Sequence, residues 1–226
     1  MARRALAAAV LAAALLAPCA GTAAQSGGEI LRAEFWTDLD LPPHEGEPYP
    51  LPDSVAAARV LEEAAWVFSG MIEGFSFDWT PENKGRQVKE RFVLTPTATV
   101  MRGDPRLVPG PTKKSSARLG AWIDFVPDAS DRLFLESTQS PQWKSAQGTG
   151  AASRSLGWAG RREAYAAAAR AALESYERSV EAQRPDEITG RLVFSAAPLV
   201  GVEENAWVVR ARVRIEILKT RRWSLY

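Results

Sequence analysis

Cysteine, histidine and net charge are what this sequence has least of. One cysteine, Cys19, excludes a disulfide framework and any zinc site built on several thiolates. One histidine, His44, excludes clustered-histidine metal sites and leaves a single imidazole for catalysis. With 28 Lys+Arg against 27 Asp+Glu the formal charge is +1, so there is neither the basic field of a nucleic-acid binder nor an acidic one. Beyond the first two dozen residues no apolar run approaches the ~18 residues of a membrane-spanning helix. No G-x-S-x-G, H-E-x-x-H, Walker-type or G-x-G-x-x-G pattern occurs, which removes the usual nucleophile, zinc and phosphate-loop signatures, and no cofactor is expected. What remains is 226 residues with 46% hydrophobic and 24% charged side chains, the make-up of one globular domain.

The N-terminus reads as an address. Arg3 and Arg4 precede an apolar stretch from Ala5 to Ala17, then small residues run from Cys19 to Ala24 before the polar Gln25-Ser26-Gly27-Gly28. That order is a secretory signal peptide over residues 1–24, with Thr22 and Ala24 at the small positions before the cut. Its removal deletes two arginines and no acid, leaving 26 basic and 27 acidic side chains and a formal charge of −1. Leu16-Ala17-Pro18-Cys19 offers a second reading, a bacterial lipoprotein signal in which Cys19 is acylated and kept. Pro18 in place of a small residue favours simple secretion to the periplasm or beyond over this lipid anchor. Loss of Cys19 would leave a chain with no thiol, suited to an oxidising compartment.

Residues 25–53 read as an extended arm, since five prolines between positions 38 and 53 oppose helix and sheet. A helix capped by Asp53 or Ser54 is expected to run to about Ser69, burying Ala58, Leu61, Ala65 and Phe68, and to stop at Gly70. Strands follow at 71–79 and 87–94, joined by a turn at 80–85. Proline- and glycine-rich residues 102–116 and Ser/Gly/Gln-rich residues 137–160 read as two long irregular loops around a strand at 119–126 and a short strand at 132–136. The clearest helix spans 161–183, burying Tyr165, Ala169, Ala172, Leu173, Tyr176 and Val180, with Arg184-Pro185-Asp186 stopping it. A strand at 188–194 precedes the cleanest alternation in the chain, 206–218. There Trp207, Val209, Ala211, Val213, Ile215 and Ile217 face one way and Arg210, Arg212, Arg214 and Glu216 the other. Residues 54–95 and 161–218 thus share a helix–strand–strand order. The expected fold is α+β, a two-layer sandwich of two such units in a single domain over 54–226.

Chemistry-bearing residues are sparse. His44 lies among prolines, where a solvated side chain is the ordinary reading. Glu73, Asp78, Asp124 and Glu136 sit on or beside expected strands and would be the acids of a glycosidase-like site if they converged. Trp36, Trp143, Trp158 and Trp223 fall outside the firm elements; Trp143 and Trp158, in the second long loop, are the candidates to stack on a sugar or partner, against the plainer reading that they cap the sandwich edges. Arg210, Arg212 and Arg214 recur every ~6.6–6.8 Å along one strand face, with Arg221 and Arg222 beyond. They would grip an anion or, the commoner case, pair with acids on a neighbouring strand, for which Glu73 and Glu90 are the nearest by symmetry.

The stretch REAYAAAARAALESYERSV, followed by GRLVFSAAPLV and AWVVRARVRIEI, resembles the helix-plus-strands domain of flagella-associated outer-membrane lipoproteins and of flagellar T-ring assembly proteins. The resemblance covers residues 161–218 and implies a non-enzymatic envelope role with other envelope proteins as partners. The sequence reading is therefore a secreted, non-catalytic envelope interaction or assembly protein. The alternative is a carbohydrate- or peptidoglycan-active module working through loop tryptophans and strand carboxylates. Whether acids and indoles share one concave pocket separates the two.

Overall fold

The computed structural model describes residues 30–40, 49–180 and 185–223. The signal segment with Cys19, and His44, lie outside the described residues. Among the described residues three α-helices and nine strands follow in the order β1 (Leu31–Asp38), α1 (Asp53–Ile72), β2 (Phe75–Thr80), β3 (Arg91–Pro96), β4 (Leu107–Lys114), β5 (Arg118–Phe125), α2 (Ala129–Ser137), β6 (Lys144–Ser153), α3 (Gly157–Val180), β7 (Glu187–Phe194), β8 (Leu199–Glu203) and β9 (Ala206–Arg221). All strand pairs are antiparallel, in a three-stranded sheet β1-β5-β4 and a six-stranded sheet β3-β2-β7-β9-β6, with β8 beside the first half of β9. The chain is α+β.

β9 behaves as its alternation requires. Trp207, Val209, Ala211, Val213 and Ile215 are buried, whereas Arg210 and Arg212 are exposed. On the same sheet face lie Phe75, Phe77 and Trp79 of β2 and Ile188, Leu192 and Phe194 of β7, forming the floor of the main core. Helix α1 serves both sheets. Its Phe68 meets Phe35 of β1 edge-on at 5.6 Å and stacks on Phe125 of β5 at 5.5 Å, while its Trp66 sits 5.0 Å from Phe75 and 5.8 Å from Phe194. The leading strands of the two helix–strand–strand units, β2 and β7, are antiparallel neighbours at the centre of the large sheet.

Several expectations are corrected. The arm contains β1, whose Ala33 and Phe35 belong to the core, so the domain begins before residue 54. Both expected long loops contain strands. β4 carries Pro109 and Pro111, which an edge strand tolerates because its outer N–H groups need no partner, and its register shifts between Pro109 and Thr112. β6 resembles a loop because it has almost no apolar side chains, and packing explains why. A Cβ on Gly148 would lie 2.2 Å from the Ala168 carbonyl oxygen, and one on Gly150 2.1 Å from the Ala168 nitrogen. Strand and helix backbones touch here directly, with Ala164, Ala168 and Ala172 of α3 completing a contact that larger residues would forbid.

Residues 132–136 are helical, not extended. Asp128 accepts from the Asp131 backbone N–H and Asp131 from that of Asp128, a capping box that starts α2. Gly70 does not end α1. The helix continues to Ile72, and the missing Cβ makes room for the Phe75 and Phe194 rings, which would lie 2.5 and 2.7 Å away. Chain reversal falls to Gly74, at φ +73°, where its N–H and that of Glu73 both donate to the Ser69 carbonyl. Pro52, not Asp53 or Ser54, occupies the N-cap. On α1, Ala65 and Phe68 are buried as expected, but the face extends over Val60, Ala64 and Val67, while Ala58 and Leu61 are only half-buried. On α3, Tyr165, Ala169, Ala172 and Leu173 are buried as expected, but Val180 is exposed. Leu173→Ala, at a fully buried position, is accordingly expected to cost about 2–5 kcal/mol in urea unfolding, and Leu61→Ala clearly less. Equal losses at both positions would contradict this assignment of faces.

Candidate functional site

Glu63 stands on the buried face of α1, between Val60 and Val67, at 2% exposure. Across from it α3 presents Arg161 and Tyr165, four residues apart and therefore on one side of the helix, at 1% and 2% exposure. Tyr165 Oη donates to Glu63 Oε1 at 2.6 Å, and Arg161 Nε lies 2.9 Å from the same oxygen, an ion contact without hydrogen-bond alignment. Arg161 Nη1 donates to the Trp36 carbonyl at 2.6 Å, which ties α3 to β1. Glu63 Oε2 has no hydrogen-bond partner among the described residues.

Burial pushes the Glu63 carboxyl above its ordinary range, opposed by the Arg161 charge and the Tyr165 hydrogen bond. Burial, then the Glu63 charge, pushes the Tyr165 hydroxyl well above its own. An arginine does not shed its proton in a protein, so the buried Arg161 charge needs Glu63 as a carboxylate at neutral pH.

Indoles and further arginines surround the pair. The Arg161 guanidinium lies 4.4 Å from the Trp36 ring, 5.0 Å from Trp207 and 5.9 Å from Trp158. Arg118 covers Trp36 at 3.6 Å and Arg154 approaches Trp207 at 5.4 Å, both held by the buried Asp38, at 3.3 and 2.7 Å. Each ring face is worth roughly 0.5–2 kcal/mol to a guanidinium, more when water is excluded.

Two cavities open beside this cluster, and Glu63 and Tyr165 line both. One, of about 390 Å³, lies between α1, residues 99–102 and the start of α3, with walls of Trp66, Val100, Met101 and Trp158 and with Glu62 and Arg162, 3.8 Å apart, beside them. The other, of about 680 Å³, lies between β1 and residues 196–200.

The sequence candidates are distributed differently. Trp158 lines the smaller cavity, half-buried. Trp143 is no loop contact: it is buried, edge-on to Phe134 of α2 at 6.1 Å. Trp36 belongs to β1 and the cluster just described, and Trp223 lies 4.6 Å from the Arg86 guanidinium. Arg210 pairs with Glu203 of β8, and Arg214 donates to the Thr138 carbonyl and to Gln139 Oε1, both at 2.6 Å. Arg212 is exposed, opposite Gln147 of β6. The expected pairing with Glu73 and Glu90 does not occur, because β2 and β3 are not neighbours of β9; Glu90 instead accepts from Trp79 Nε1 and Arg170. Glu73, Asp78, Asp124 and Glu136 line neither cavity, and Asp124 is closed by Arg32 at 2.6 Å. Among the described residues no group of three or more His, Cys, Asp or Glu could hold a metal ion.

Glu63 and Arg161 escape a sequence reading that treats charge as surface; Tyr165 is expected on the buried face, but not as their partner. The available signal was an acid at the centre of an apolar stripe, three residues after Val60 and four before Val67.

A family model matches residues 18–223. The chain belongs to that family, which is uncharacterised. Over 165 residues it is 26% identical to an uncharacterised protein of Treponema pallidum (strain Nichols), an overlap of 73% of this chain and 69% of that protein. No solved structure matches it.

Proposed function

We propose that this chain is a secreted, non-catalytic interaction or assembly protein of the bacterial envelope that recognises its partner at the cavity beside Glu63. The observation that carries the binding reading is the cavity itself, walled by Trp66, Val100, Met101 and Trp158 and open at the exposed Met101. A non-catalytic role agrees with the state of the acids. Glu63 is committed to Arg161 and Tyr165, and the strand carboxylates lie apart from it. The signal-like N-terminus and the low cysteine content support the envelope setting, and the resemblance of residues 161–218 to flagella-associated lipoproteins and T-ring proteins supports a flagellum-linked one. The two-layer reading belongs to the same proposal, with residues 54–95 and 161–218 as architecturally repeated units that meet at β2 and β7.

A carbohydrate-binding role is the second reading, because Trp66, Trp158, Glu62 and Glu63 do share one cavity. The surface the cavity presents is mainly apolar, with Glu62, Arg102 and Arg162 also among its lining residues, and that balance favours the first reading, since many hydroxyls of a sugar would go unpaired there.

In the native host, mass spectrometry is expected to find a mature N-terminus near Gln25, or an acylated Cys19, in the envelope fraction. A photo-crosslinker at Met101 should capture a protein there, and one at Arg132 on α2 should not. An intact Met1 in the cytoplasm would refute the setting. Crosslinking to glycan fragments alone would select the second reading.

A further inference from the structure

We propose that the groove of about 680 Å³ beside β1 takes up an extended segment of a partner protein as an added antiparallel strand, with a lysine or arginine of that segment opposite Glu34. The groove opens away from the cavity at Met101, and this interaction does not depend on that cavity being filled.

Side chains alternate across a strand, so a groove lined by every residue from 30 to 36 runs along the edge of β1 and not over one face. That edge is free, because among the described residues β1 pairs with β5 alone. Two hydrogen bonds fix which backbone groups it presents. The Leu39 N–H donates to the Ala117 carbonyl, continuing the β1–β5 register, whereas the Trp36 carbonyl turns the other way and accepts from Arg161. Odd-numbered residues of β1 therefore bond to β5, and the N–H and C=O groups of Arg32 and Glu34 face the groove. Arg161 closes the edge at Trp36. At Arg32 and Glu34 no described residue closes it, and an incoming strand would meet both pairs of groups.

Side chains select the occupant. Ile30, Trp122 and Leu199 line the groove and are all exposed, which favours an apolar segment. Residues of the added strand opposite Ala33 and Phe35 would point toward α1, whose Met71 also lines the groove. Those opposite Arg32 and Glu34 would share the outer face with them. There Asp124 holds Arg32 at 2.6 and 2.7 Å, whereas Glu34 has no ion-pair partner among the described residues. A cation directly across from Glu34 supplies the missing charge, and an acid in that place is repelled. The recognised segment thus alternates apolar, basic, apolar, polar, apolar.

The full mature protein would be titrated with the peptide acetyl-Ser-Val-Lys-Val-Thr-Val-amide, read by the backbone amide resonances of Arg32 and Glu34. Binding is expected to be at least about tenfold tighter than that of the same peptide with glutamate for lysine, and Glu34→Lys should reverse the preference. N-methylation at the threonine, whose N–H would face β1, should abolish binding. The same change at the valine before it, whose N–H would face away, should cost far less. Glu34→Pro removes only a groove-facing N–H and is tolerated on an edge, so it should end binding while leaving the urea unfolding transition in place. Equal binding of the lysine and glutamate peptides, or equal effects of the two methylations, overturns the proposal, as does the absence of binding at millimolar peptide. A dimer in sedimentation that Glu34→Pro dissolves would give the edge to a second copy and overturn it too. None of these results bears on the crosslink at Met101, which tests the earlier reading by itself.

Discussion

Replacing Arg161 with methionine is expected to destabilise the protein by about 3–5 kcal/mol in urea unfolding. Methionine keeps much of the side-chain volume among Trp36, Trp158 and Trp207 but removes the only charge within ion-pair distance of Glu63 among the described residues. The buried carboxylate then faces its full desolvation cost with only the Tyr165 hydrogen bond in return. Two further results identify the mechanism. In the double variant Arg161→Met/Glu63→Leu most of the loss should return, since a buried ion pair replaced whole by apolar groups is often neutral or better. The single variant should also depend on pH. With Arg161 gone, the already raised Glu63 carboxyl rises further, so the native state binds a proton that the unfolded chain has released. Stability then falls as pH rises from the ordinary carboxylate range through the native-state value, so the deficit relative to wild type should shrink as pH is lowered back toward that range. Asp104, Asp124 and Asp128, held low chiefly by side-chain hydrogen bonds from Arg106, Arg32 and Ser130 respectively, act in the opposite sense; they weaken both proteins alike in acid and cancel in the difference. A double variant less stable than the single one would show that the cluster is held by packing and not by charge.

Gly150→Ala is expected to be at least as damaging, above about 3 kcal/mol or preventing folding altogether. The added Cβ would stand 2.1 Å from the Ala168 nitrogen and 2.4 Å from the Ala164 carbonyl oxygen. Both are helix backbone, so no rotamer change relieves the clash; β6 and α3 must move apart. That separation would reach Tyr165 and Arg161 on the same helix, and the tryptophan fluorescence of the cluster should change with it. Gly201→Ala is the control: nothing lies within 4 Å of its Cβ position, and a change within about 0.5 kcal/mol is expected. Circular dichroism and urea titration of the two variants would check the contrast. A Gly150→Ala protein as stable as wild type would mean that β6 does not lie against α3 as described.

Legibility in the sequence followed the pattern each element imposes. β9 and β5 were readable because one face is buried and the other is solvated, which forces strict alternation. α3 was readable from its length and its row of small apolar residues. β6 and β4 were not, because the first is selected for the absence of side chains against a helix and the second is an edge that admits prolines. β1 runs directly into a proline-rich stretch that hides its end, although Ala33 and Phe35 alternate as a strand requires. The start of α2 was written as Asp128 and Asp131 three residues apart, a capping signal outweighed by the apolar Leu133-Phe134-Leu135 run.

By itself the sequence determined the class of protein. Its single cysteine leaves no intrachain disulfide, and its periodicities committed the chain to an α+β body. Only the tertiary structure decided which charges that body buries together. Glu63 and Arg161 are 98 residues apart, and either alone reads as an ordinary solvated charge. Packing α1 against α3 brings them within 2.9 Å and removes the water between them. A charge acquires its meaning from its neighbours and its dielectric surroundings, and both come from contacts between distant segments that no local pattern records.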